Sequence, residues 1–127
     1  VGQGEKTVVV PALSSRWLEE EAFPEASVTE HYLSYAFVVE GEAVSRGAVL
    51  FCAPKHFAFR NPDLRVSAQD GEITVEASAF AKAVYVESND PDLLLSDNFF
   101  DMDPGIRKLQ VLRGSAEGLR VRSVYDI

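Results

Sequence analysis

Three aspartates, Asp97, Asp101 and Asp103, fall within seven residues of one another in "SDNFFDMDPG". Carboxylates at that spacing could hold calcium or act as a catalytic acid–base pair. A hand-type calcium loop needs ligands at positions 1, 3 and 5, glycine at 6 and a bidentate glutamate at 12. Counted from Asp101, position 5 is Gly105, position 6 is Ile106 and position 12 is Leu112, so the pattern fails. Glycosidases use two carboxylates about 5 Å or 6.5–9.5 Å apart. With 20 acidic residues in the chain, close pairs arise by chance, and solvated acids are the plainer reading.

Other chemistry is thinner. Cys52 and His56 are spaced like two zinc ligands, but a structural zinc site takes four and no second pair occurs. There is no Gly-x-Ser-x-Gly elbow and no glycine-rich phosphate loop. The expectation is therefore no catalytic residue, no metal and no cofactor within this chain. Trp17, Tyr32, Tyr35, Tyr85 and Tyr125 could stack on sugar rings if several were exposed together, although packing is the commoner fate of aromatic side chains. Trp17, outside any strong strand pattern, and the Phe99–Phe100 pair are the candidates for carbohydrate or interdomain contact. Exposed aromatics in one plane would favour sugar binding, and buried ones a scaffold.

The elements that must carry these residues are strands. Leu33, Tyr35, Phe37 and Val39 alternate with Tyr32, Ser34, Ala36 and Val38, and the pattern resumes from Val44 to Ala53, predicting a hairpin. "LRVSAQDGEITVEA" predicts a second, because Asp70-Gly71 suits a type I′ turn. "FAKAVYVES", "IRKLQVL" and "LRVRSVYDI" add strands, and "KTVVVPAL" is strand-like. "SSRWLEEEAF" invites one short helical turn capped by Ser15 and stopped by Pro24. Cys52, among apolar neighbours, is expected to be a buried strand residue. The fold expected is all-β: an immunoglobulin-like sandwich of about 7–9 antiparallel strands.

The 127 residues carry a net charge of −8, and no cationic cluster offsets it, so nucleic acid and anionic membranes are not expected partners. A single cysteine excludes an internal disulfide and leaves the redox compartment open. The chain opens at Val1 without an apolar leader, and the reading is a piece excised from a longer polypeptide.

"SDNFFDMDPG", preceded by "FAKAVYVES" and by "GAVLFCAPKHFAFRNPDLRVSAQDGEITVEA", resembles the C-terminal immunoglobulin-like domain of β-mannosidases of glycoside hydrolase family 2. The resemblance runs from about Leu33 to Leu112, and "LRVRSVYDI" looks like such a chain's ending. It implies a single accessory domain over residues 1–127. The parent would be a retaining exo-enzyme that removes terminal β-D-mannose, its two catalytic glutamates lying in a (β/α)8 barrel outside this chain. The implied partners are the barrel and sandwich domains of the same polypeptide; the rival reading, a carbohydrate-binding module, adds a glycan. A cytoplasmic parent is the expectation. Within the motif, Asp97 and Asn98 are expected to bond backbone amides, Phe99 and Phe100 to point to opposite sides, and Asp103-Pro104-Gly105 to form a type II turn with Gly105 near φ +80°.

Overall fold

The computed structural model describes residues 2–127. Among the described residues nine strands form, in order β1 (Tyr32–Val39), β2 (Glu42–Leu50), β3 (Arg65–Gln69), β4 (Glu72–Ala77), β5 (Ala81–Glu87), β6 (Leu94–Leu95), β7 (Phe100–Met102), β8 (Gly105–Arg113) and β9 (Arg120–Arg122). Every pairing is antiparallel. β3-β4-β8-β6 makes one sheet and β7-β5-β9 another, while β1-β2 is a separate two-stranded ladder. The first two sheets face each other as an immunoglobulin-like sandwich of seven strands.

Its core follows from period-2 patterning. Ile73, Val75 and Ala77 of β4 point inward and are buried, as are Val84 and Val86 of β5 and Leu109 of β8. Phe100, Met102 and Leu95 complete the cluster, with Val66, Val111 and Val121 packed against its rim. The β3–β4 turn is the expected type I′ form, with Asp70 at φ 52° and Gly71 at φ 78°. Glu40 (φ 51°) and Gly41 (φ 82°) make the same turn between β1 and β2, in the gap between the two alternating runs of the predicted hairpin. Glutamate is a poor marker of positive φ, which is why that turn was hidden.

Three local expectations are corrected. "KTVVVPAL" forms no strand: residues 2–31 hold turns but neither helix nor strand. β propensity is realised only against a pairing partner, and this segment has no ladder. "SSRWLEEEAF" forms no helical turn either. Leu13 takes φ 57°, and the Ser14 hydroxyl turns back to the Pro11 carbonyl at 2.5 Å, so the backbone is committed to a turn before a helix could start. A single isolated turn also lacks the length to repay nucleation. Cys52 is only half-buried and lies in a bend just past β2, because β2 ends at Leu50.

Candidate functional site

The carboxylates of the opening motif are each committed to different partners. Asp97 accepts from the Asn98 amide at 2.8 Å and from the Arg107 guanidinium at 2.8 Å. Asp101 accepts from the Ala83 amide at 2.9 Å and pairs with Lys82 at 3.3 Å. That amide belongs to the bulge between Ala81 and Val84, where Ala83 holds φ 52°. The acid thus pins a strained backbone position rather than a substrate. Asn98 acts as a piece of strand: its Oδ1 accepts from Val86 N–H, and its Nδ2 donates to Val86 C=O, both at 2.9 Å.

This clamp explains the two phenylalanines. Phe100 is 7 % exposed, inside the core, with the Arg107 guanidinium carbon 4.5 Å from its ring centroid. Phe99 takes φ 55° and is 67 % exposed, on the opposite side, where its ring stacks on Tyr85 with centroids 4.6 Å apart and planes 15° from parallel. The expected bonding of Asp97 and Asn98 and the opposed phenylalanines are as read from the sequence. The expected turn is not: Gly105 sits at φ 135°, already the first residue of β8, in place of φ near +80°. That positive φ still favours glycine, since a side chain there is strained even in open space.

Asp103, just before that bend, reaches a different element. Its Oδ1 accepts from the Tyr32 hydroxyl at 2.7 Å and its Oδ2 from the Ser34 hydroxyl at 2.6 Å. Tyr32 and Ser34 are alternate residues of β1, so one carboxylate grips one face of the hairpin. Beneath it the Tyr32 ring stacks on Phe80 at 3.9 Å, and Phe57 and Phe59 lie 6.2 Å and 6.4 Å from the same ring. The Ala58 amide also donates to Thr29 C=O at 2.7 Å. Beside the grip a cleft of about 300 Å3 opens between hairpin and sandwich, lined by Ser34, Arg46, Phe80, Asp101 and Arg107 among others.

Burial, then the hydrogen bond to Asp103 and the charge of that carboxylate, push the Tyr32 phenol well above its ordinary range. The folded state therefore holds this proton more tightly than the unfolded chain does. The contribution is present in full below about pH 10, the ordinary phenol value, and is lost as pH rises further. Urea unfolding at pH 8 and at pH 11 should show a drop in stability, and Tyr32→Phe should make that drop smaller. An identical drop in both proteins would contradict the seam geometry.

Of the residues singled out for contact, the structure does not make one site. Trp17 is 94 % exposed in the segment without strands, Phe100 is core, and Phe99 stands on the outer face of β7-β5-β9. Nothing in the sequence linked the seam residues Tyr32, Ser34, Phe80 and Asp103 to one another, because Tyr32 and Asp103 lie 71 positions apart.

Comparison with known families divides the chain near the seam. Residues 59–127 match the model of the mannosidase Ig-fold domain, and residues 1–56 match that of the mannosidase Ig/CBM-like domain. No curated protein matched the chain. The seven sandwich strands all lie within the first match and the β1–β2 hairpin within the second. The first match spans more than half of the chain, and its sandwich is the fold described above: the chain belongs to the Ig-fold domains of mannosidases, as an accessory domain of such an enzyme.

Proposed function

We propose that the chain is a non-catalytic coupling element of a family 2 β-mannosidase-like hydrolase, one that removes terminal β-D-mannose from oligosaccharides. In this reading it carries a seven-stranded sandwich and, ahead of it, strands of a second unit, instead of the single unit first expected over 1–127. Its task is to hold the two in one fixed relation and so stabilise the enzyme assembly. The observation that supports this is the double grip of Asp103 on Tyr32 and Ser34, which joins the segment matched over 59–127 to that matched over 1–56. A carboxylate accepting two hydroxyls in parallel restrains rotation as well as separation. The Tyr32 ring, stacked on Phe80, is held in place and so fixes the position of the hydroxyl that the carboxylate grips.

Asp103→Ala should free the hairpin without unfolding the sandwich. The expected loss is about 1–2 kcal/mol, for two charge-assisted bonds at a partly solvated site. Limited proteolysis across residues 57–63 should accelerate several-fold while the Ile73–Leu109 core stays protected in hydrogen exchange. Unchanged cleavage would sink the coupling role. Cleavage accompanied by loss of core protection would mean that the seam supports the sandwich itself and does not join two units.

A further inference from the structure

We propose that Phe99 and Tyr85 form a stacking platform for one ring of a neutral hexopyranose oligosaccharide. The two rings occupy neighbouring positions in one row. The β5–β7 register that pairs Val84 with Phe100 sets Tyr85 beside Phe99, and Tyr85 pairs with Arg122 of β9 on its other side. Val84 and Val86 point into the core, so Tyr85 and Glu87 face outward, and the row runs from Phe99, just ahead of β7, across Tyr85 of β5 to Arg122 of β9 on the outer face.

The platform is rigid, and it is held there against the backbone's own preference. Phenylalanine at φ 55° is an uncommon, strained choice, and strain of this kind at an exposed side chain points to a use for that side chain. The ring is not needed by the core, which Phe100 fills from the other side. Asn98 clamps the preceding backbone to Val86, and the Tyr85 ring supports the Phe99 ring from beneath, leaving its other face open to solvent. An ordered ring loses little entropy when a ligand settles on it.

The size and charge of the patch select the occupant. Two aromatic side chains offer well under the roughly 800 Å2 per partner that a stable protein interface buries. One pyranose, with an apolar C–H face and hydroxyl rim, matches a ring bordered by polar groups. Glu87 lies within 3.3 Å of Arg120 and 3.5 Å of Arg122, so its carboxylate offsets one of these two cations at the border, and the chain as a whole carries −8. An anionic glycan or nucleic acid would meet repulsion overall, and a neutral sugar would not.

The test titrates the 127-residue chain with β-1,4-linked mannotriose, and separately with maltotriose, while the Phe99 and Tyr85 ring protons are followed by NMR. Saturable shifts at those rings, with a Kd on the order of 1–10 mM for at least one sugar, are expected for a single stacked ring. Phe99→Asn keeps a residue that tolerates left-handed backbone, so the fold should survive while the ring is lost. It should weaken binding about tenfold or more, and Phe99→Tyr should retain it. Absence of saturable ring shifts with both sugars would overturn the proposal, as would binding of equal strength in Phe99→Asn.

Discussion

Ile73→Ala is expected to lower the unfolding free energy by about 3–4 kcal/mol, enough to shift the melting temperature by well over 10 °C. Ile73 is 0 % exposed, and it stands opposite Leu109 in the β4–β8 ladder at the centre of the sandwich. Removing three buried carbons forfeits their transfer energy and leaves a hole between two sheets whose backbones are fixed by ladders on both sides. β4 has β3 on one side and β8 on the other, so it cannot slide to close the gap. Val38→Ala, on the hairpin where the side chain is 60 % exposed, should change stability by less than about 0.5 kcal/mol. Equilibrium denaturation of both variants reads the difference. Comparable small losses would show that the sandwich is not the stable unit of this chain.

That contrast marks the limit of what the sequence could convey. Ile73, Val75 and Ala77 alternate with polar residues beside an Asp-Gly turn, so strand, face and register are all written within fourteen residues. The hairpin β1–β2 was equally local. Failures came wherever a segment's state depends on a distant partner. Thr7–Val10 has strand composition, but no ladder receives it among the described residues, and Ser15 can cap a helix only where a helix has something to pack on. Asp103 looks like an ordinary turn aspartate, and nothing near it in sequence announces Tyr32 or Ser34. The bulge at Ala83 hid behind a regular-looking run, and it becomes intelligible only once the Asp101 carboxylate is seen on its amide. Phe99 and Phe100 could be assigned to opposite sides by strand parity. The stack on Tyr85 could not, since it depends on which strand lies alongside.

Asn98→Ala is expected to cost about 2–4 kcal/mol, far more than its surface neighbours, because it would orphan two backbone groups at once. Val86 is 2 % exposed. In β5 the residues on either side, Tyr85 and Glu87, lie opposite Arg122 and Arg120 of β9, while the peptide groups of Val86 turn the other way, toward β7. β7 begins only at Phe100, so no strand residue stands opposite Val86, and the Asn98 side chain supplies the missing donor and acceptor. Alanine removes both, and the left-handed backbone at Phe99 would lose the bond that its amide makes to Asn98 Oδ1 at 3.1 Å. Asn98→Asp discriminates this account from simple loss of packing. Its carboxylate can still accept from Val86 N–H, but it faces Val86 C=O as a second acceptor, a repulsion that asparagine lacks. Protonation would restore a donor, so this variant's carboxyl should be held in its neutral form more strongly when folded than when unfolded. Its deficit relative to the parent chain should therefore shrink as pH falls through the carboxylate range, near pH 4, and grow as pH rises above it. Chemical denaturation at pH 3.5 and at pH 7 measures that deficit. A deficit independent of pH, or one no larger than that of Asp97→Ala, would mean that the side chain does not complete the strand.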